Sequence, residues 1–530
     1  MLFFALAAVL VVAAAEDAQA PPSVDRFPGA TAVPDAPEFL LTRGGAGGVD
    51  WGEAFARRRP FVVRNASFVA RWRALQHWSN PADVAEKWGG KLKVHVTRRD
   101  TVQMLSFVQP FGRLPEIRWR RRWHERWVES EEFFTPPAAD ENTYCNTNAS
   151  ATPATSASEW MYLYTPIEDL PVALRRDLGN LQSDLGAIFR PLKEAAFWSG
   201  PPGISSPLHY DAAHNAYLQV SGRKRFLLFP HNVSDALYSY PRLHPSTRQS
   251  MINVRNVLSG NLSGKREGNS DYAAAFPQFF KRVNNATLAP MEVLLSPGDV
   301  LYIPPYYWHR ASVPCLQDDA TDGTSPATCS PTSSPPSMSI AAYTPSDAMS
   351  MYQLFKGHPV PISPDWTHDQ QVAGLREYVC GLSHLFVEEE NMPQHDCSRW
   401  VRSLLAQRFD PLFVDSHDAS LTLSSSSTSA YDYAIAGGWS DMMSKQRRFF
   451  VWLTRPLAMP PAVGKQLRAH AGRLQSDVER IQRRDGDLEM AVVETEKMSV
   501  VEDVVNLVLG TRFVEPFLRM MAGELVLWSP

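Results

Sequence analysis

The 530-residue sequence predicts a mainly β protein with a C-terminal α-helical region. Three observations carry that prediction. Short runs rich in β-branched and aromatic residues, separated by turn residues, recur between residues 57 and 345. Proline (42 residues) and aromatic residues (11%) are abundant, which suits strands and turns better than a helical bundle. From residue 351 onward, apolar residues recur at helical spacing instead. With 44% apolar and 20% charged residues the chain can bury a sizeable core. Lys+Arg of 52 against Asp+Glu of 56 gives a net charge of −4, so no global basic excess suits a nucleic-acid partner.

The elements follow in chain order. Residues 1–20 open with an unbroken apolar run from Leu2 to Ala15, followed by Glu16 and Asp17. The run is too short to span a bilayer comfortably, so it predicts a signal peptide cleaved near Ala13-Ala14-Ala15. The expected location is the secretory pathway, either the endoplasmic reticulum lumen or outside the cell. A missing positive n-region leaves an uncleaved anchor or a misassigned start as the alternative. No later segment is long enough and apolar enough for a span, so no membrane span is expected in the mature chain. Glycosylation sequons begin at Asn65, Asn148, Asn232, Asn261 and Asn285.

A β-rich domain is expected over 35–350. RRRPFVVRN (57–65) and WGGKLKVHVTRR (88–99) read as strands, and EWMYLYTP, AAFWSG, HNAYLQVSG, RKRFLLFP, MEVLLSPGDVLYIPP and SMSIAAYTP read as further ones. Residues 135–158, 231–290 and 315–336 have the composition of insertions. Helical spacing over 351–530 is divided by the serine-rich stretch 418–430. In RLPEIRWRRRWHERW (113–127), Trp119, Trp123 and Trp127 stand four apart, predicting three indoles on one helical face that packs on the sheet. Cys315 with Cys329 and Cys380 with Cys397 bracket short stretches and can form local disulfides in an oxidising lumen, leaving Cys145 over; five free thiols are the alternative.

The chemistry concentrates in 197–230 and 294–313. His209 and Asp211, two apart on a strand, project from one face and can hold one metal ion. His309 is expected at the end of a strand launched by the Pro297-Gly298-Asp299 turn. Two imidazoles and a carboxylate leave three coordination positions open, which suits non-haem Fe(II) oxygenases and serves zinc hydrolysis as well. Lys224 weighs toward the former. If 2-oxoglutarate is the cosubstrate, the charges of a divalent iron, one aspartate, two carboxylates and one lysine sum to zero. Without the lysine a buried negative charge stays uncompensated. Ser206, three before His209, can donate to the same carboxylate. His95, His124 and His231 read as structural or surface groups.

WSGPPGISSPLHYDAAHNAYLQVSGRKRFLLFP followed by SPGDVLYIPPYYWHRASV resembles the JmjC/cupin-8 family of Fe(II)- and 2-oxoglutarate-dependent oxygenases, in layout the small JmjC hydroxylases that include the HIF asparaginyl hydroxylase. The resemblance spans roughly 35–346. It implies a double-stranded β-helix (the cupin/JmjC jelly roll), Fe(II) at His209, Asp211 and His309, and 2-oxoglutarate held by Lys224, with O2 as co-oxidant. By the same resemblance Ser206 stands where Thr is frequent, Asn215 where an Asn lies near the iron, and Tyr162 where a tyrosine reaches the cosubstrate; Tyr164 fits nearly as well. Ala341 or Ala342 replaces a polar residue. The implied function is a protein hydroxylase of the secretory pathway acting on a protein or peptide. The alternatives are a lysine (histone) demethylase if the chain is nuclear, or a non-catalytic lumenal binding or scaffold protein. Related proteins also suggest a homodimer through the helical region.

Overall fold

The computed structural model describes residues 30–35, 51–98, 107–108, 120–121, 123–135, 159–178, 184, 192–254, 272–314, 336–346, 362–384, 395–412 and 490–523. Its strands are β1 (Thr31–Ala32), β2 (Phe61–Val63), β3 (Lys91–Arg98), β4 (Phe107–Val108), β5 (Arg120–Arg121), β6 (Trp123–Glu129), β7 (Glu159–Pro166), β8 (Glu194–Gly200), β9 (His209–Tyr210), β10 (Ala213–Ser221), β11 (Lys224–Phe229), β12 (Met291–Leu295), β13 (Val300–Ile303), β14 (Trp308–Ser312) and β15 (Ser337–Pro345). A five-stranded sheet in the order β1-β12-β11-β14-β9 faces an eight-stranded sheet in the order β2-β13-β10-β15-β8-β7-β3-β6. This is the mainly β, cupin-type jelly roll that the sequence predicts, with helices at its C-terminal end.

Alternation along each strand makes the sandwich. On β10, Ala216, Leu218 and Val220 point outward, where they pack with Val69, Trp72, Trp78 and Val84 from the N-terminal helices. Tyr217 points inward to meet Phe226, Leu228, Leu301, Ile303 and Ala341. Each such fully buried large side chain contributes about 2 kcal/mol of transfer free energy. The β12–β13 turn is closed by Asp299, whose carboxylate accepts the backbone N–H groups of Asn65 and Ser296 and pairs with Arg64 at 2.7 Å. Gly298 in that turn has φ +95°, a conformation that disfavours any residue with a Cβ.

The structure departs from the sequence-based expectation at two places. Residues 123–129 do not continue a helix: they form β6, paired from Glu129↔Lys91 to Trp123↔Thr97 with β3. A spacing of four fits one helical turn and also two steps of a strand, and pairing along β3 selects the strand. Trp127 is consequently exposed rather than packed on the sheet. Nor does His309 end the strand launched by the Pro297-Gly298-Asp299 turn. That strand is β13; Pro304 and Pro305 lack an N–H and Tyr306 adopts φ +62°, so the ladder breaks and His309 lies on the next strand, β14.

The excursion after β11 returns to the barrel. Its described parts carry the helices α1 (Ser234–Leu237), α2 (Tyr272–Ala275) and α3 (Pro277–Asn284). The C-terminal part carries α4 (His368–His384), α5 (His395–Arg408), α6 (Met490–Leu509) and α7 (Val514–Met521). Leu227 and Phe229 of β11, Ile252, Phe276 and Phe279 of the excursion, and Val379, Leu404, Val501 and Phe517 of the C-terminal helices share one cluster. The helices therefore pack their apolar faces onto the outer side of the five-stranded sheet, leaving Leu507 exposed. A disulfide joins Cys380 on α4 to Cys397 on α5, with Cα atoms 5.2 Å apart. Cys145, Cys315, Cys329, residues 1–20, residues 136–158 and 315–335 of the insertions 135–158 and 315–336, and the stretch 418–430 lie outside the described residues, as does Trp119. Among the described residues, no helix is long and apolar enough to cross a membrane.

Candidate metal and cosubstrate site

Two of the three candidate ligands form one cross-strand pair: His309 of β14 lies opposite His209 of β9 in the antiparallel register. Their rings are 4.2 Å apart between centroids. Asp211 follows β9 immediately, and one of its carboxylate oxygens is 3.7 Å from His309 Nε2. One ligand atom from each of His209, Asp211 and His309 lies within 4.8 Å of the others, the only such metal-capable group among the described residues. His209 Nδ1 is 2.9 Å from the Pro207 carbonyl and His309 Nδ1 is 3.0 Å from the Tyr307 carbonyl. A carbonyl only accepts, so each Nδ1 carries the proton and each Nε2 keeps its lone pair for a metal. Burial, reinforced by neighbouring His209, pushes His309 down to about 4, so the ring is neutral and ready to ligate at neutral pH. The residues fit a divalent ion with open positions.

Lys224 shares this interior. Leu228 of β11 pairs with His309, and Phe226 with Ala311, so Lys224 lies on the same inward face four residues further along. That separation is about 13 Å of strand. Its ammonium donates to the Tyr162 hydroxyl at 3.3 Å and sits 5.5 Å and 5.4 Å from the Tyr162 and Tyr217 ring centres. The residue is 2% exposed. Among the described residues no carboxylate pairs with it, and burial lowers it from 10.5 to about 7. A buried cation without a counter-charge is costly unless an anion arrives to meet it.

The other candidates take distinct places. Ser206 accepts the Ala311 N–H at 3.0 Å through its hydroxyl oxygen, which keeps its own proton to donate, and Ala311 stands between His309 and the Lys224 end of β14. Asn215 is 2% exposed, lies across from Ile303 and Tyr343, and has a buried Oδ1 without a hydrogen-bond partner among the described residues. Tyr343 is pushed up by burial and then by the Asp211 charge, which places this row at the metal end. Tyr162, not Tyr164, meets Lys224; the Tyr164 hydroxyl donates to exposed Glu194 at 3.1 Å. Opposite Tyr162 stands Gly200, where a Cβ would fall 2.6 Å from the tyrosine Cδ2, so only glycine admits the ring. Ala341 is the inward alanine and Ala342 packs on the outer face. Sequence reasoning passed over Tyr217, whose ring flanks Lys224; its inward position on β10 was the available signal. His124 is exposed, His95 packs edge-on to Trp123, and buried His231 lies 5.9 Å from Tyr307, none of them in the ligand group.

The titration of Lys224 has a definite sign. Its folded value lies below its unfolded one, so between about 7 and 10.5 the unfolded chain holds more protons and this group's contribution to stability rises with pH. Binding of a dicarboxylate reverses the demand, because the ligand needs the ammonium form. Affinity for 2-oxoglutarate is then flat below about pH 7 and weakens by up to about tenfold per pH unit above it. Calorimetric titration of the Mn(II)-loaded protein from neutral to alkaline pH, against Lys224→Met as the pH-independent control, checks this.

A jelly roll that presents two histidines and an aspartate around an open position defines the class. The cupin-like domain family model matches residues 50–325 of the 530, and the chain belongs to that family. The chain is 37% identical to human HSPB1-associated protein 1 over 128 residues, 24% of this chain and 22% of that protein. It is 36% identical to JmjC domain-containing protein D of Dictyostelium discoideum over 112 residues, 21% of this chain and 20% of that one. It is 32% identical to Lysine-specific demethylase JMJ30 of Arabidopsis thaliana over 112 residues, 21% of each. The matched stretch is thus about a fifth of the length of each of these curated relatives.

Proposed function

We propose that the chain is an Fe(II)- and 2-oxoglutarate-dependent protein hydroxylase of the secretory pathway. The observation that carries the reading is the buried Lys224, without a carboxylate partner among the described residues, in the same interior as His209, Asp211 and His309. A metal centre alone also suits hydrolysis, but a lone cation deep in the barrel calls for a dicarboxylate. When bound, iron with 2-oxoglutarate and O2 supplies oxidative decarboxylation to succinate coupled to hydroxylation of a substrate C–H bond.

The chain's own part is positional. His209, Asp211 and His309 hold the metal from one side, their imidazoles kept in one tautomer by the Pro207 and Tyr307 carbonyls. Lys224, with Tyr162 and the Ser206 hydroxyl, receives the far carboxylate, and Tyr217 and Phe226 exclude water around it. Asn215 offers its unsatisfied Oδ1 to a donor at the metal end. A protein or peptide is the proposed substrate, and one relative is itself named for association with a protein, HSPB1.

The secretory assignment is supported by the Cys380–Cys397 disulfide and by the exposure of the sequon asparagines Asn65, Asn232 and Asn285. A glycosidase-sensitive mobility shift of the expressed chain is the expected result. Nuclear staining with no such shift would overturn the compartment and favour the second reading, lysine demethylation, which the name of one relative, Lysine-specific demethylase JMJ30, supports. That reaction uses the same site, with the N-methyl group as the C–H donor.

A further inference from the structure

The ligand strand β9 is only two residues long and lies at the edge of its sheet, so the ladder does little to fix it. Its backbone is held from elsewhere: Tyr210 N–H donates to the Arg248 carbonyl at 3.1 Å, Ser250 N–H to Leu208 at 2.7 Å, and Tyr306 N–H to the Asp211 carbonyl at 2.7 Å. Tyr306 makes that last bond from φ +62°, a conformation that a bulky residue keeps only where its surroundings hold it.

Two contacts do the holding. The Tyr306 ring stacks on Tyr210, 5.4 Å between centroids with planes 24° apart. Its hydroxyl donates to Glu496 Oε1 on α6, a hydrogen bond spanning 190 residues of sequence. Tyr306 is 2% and Glu496 4% exposed, so either group would lose a buried partner if the other were removed. Strand alternation explains the arrangement. His209, Asp211 and His309 turn inward, and their neighbours Tyr210 and Trp308 turn outward into the cluster containing Met498, Val500 and Val501 of α6.

We infer that Tyr306 and Glu496 are a positioning pair through which the C-terminal helix α6 fixes the backbone of Asp211 and so sets the geometry of the metal centre. The inference rests on the metal-centre reading above. It gives the helical region a role in the site that neither ligand spacing nor family membership assigns.

Cobalt(II), titrated into the full-length metal-free protein and followed by visible absorption, is the probe. Tyr306→Phe keeps the ring on Tyr210 and removes only the hydroxyl. It is expected to weaken Co(II) binding by about tenfold or more and to alter the absorption band, with the far-ultraviolet circular dichroism unchanged. Glu496→Ala should do the same, whereas Glu496→Gln, which keeps an acceptor oxygen, should bind within about threefold of the parent. If Tyr306→Phe does not fold, Glu496→Ala against Glu496→Gln decides. Parent-like affinity and an unchanged band in Tyr306→Phe and Glu496→Ala would overturn the pair's role while leaving the metal centre standing. Absence of Co(II) binding by the parent protein would instead overturn the metal-centre reading and the inference with it.

Discussion

His309→Ala is expected to eliminate the proposed 2-oxoglutarate turnover. Purified protein supplied with Fe(II), ascorbate and 2-oxoglutarate is expected to form succinate slowly even without substrate, and the variant to lose at least about 100-fold of that rate. The figure is a floor: removing a group that merely orients a ligand costs about 10–100-fold, and His309 is proposed as a ligand itself. The fold should survive, because His309 is neutral and its backbone pairing to β11 and β9 does not need the ring. His124→Ala, on an exposed position of β6, is the control and should turn over like the parent. Succinate formation unchanged in His309→Ala, or absent from the parent with any candidate substrate, would sink the enzymatic reading in favour of a binding protein.

Lys224→Met separates the cosubstrate from the metal. Methionine fills similar space without the charge, so the far carboxylate loses its buried counter-ion. Losing one member of such a pair costs about 3–5 kcal/mol, which at about 1.4 kcal/mol per tenfold is at least about 100-fold in the KM for 2-oxoglutarate. Metal affinity should stay within a few-fold, since the residue stands four positions along β11 from the Leu228↔His309 pair. The ligand-free variant should be at least as stable as the parent near neutral pH, because the uncompensated buried ammonium is gone. A variant that loses thermal stability and metal together would show instead that Lys224 is a structural strut.

Much of this site was legible because it is written in short strands. His209, Asp211 and the later His309 occupy inward positions, and Lys224 begins a run whose alternate residues, Phe226 and Leu228, reappear in the interior cluster. Parity has limits, however. Tyr162 and Tyr164 share a face of β7, so alternation could not choose between them; the choice is made across the ladder, where Gly200 opens space for Tyr162 alone. The tryptophans at four-residue spacing fitted two periods, and only the pairing of β6 with β3 selects one. Pro304 and Pro305 were visible as strand breakers, yet the chain from Val300 to His309 reads as one hydrophobic run unless their missing N–H groups are counted. Contacts such as Tyr306 with Glu496 left no local trace, since nothing near either residue announces a partner 190 positions away.

One interior is proposed to hold a metal at His209, Asp211 and His309 and a dicarboxylate at Lys224. Anomalous diffraction from crystals grown with Mn(II) and 2-oxoglutarate tests it directly. The predicted result is a single strong peak bounded by Nε2 of both histidines and the Asp211 carboxylate, with ligand density running from it to the Lys224 ammonium. Manganese bound elsewhere, or a peak at the triad with the dicarboxylate directed away from Lys224, would contradict it.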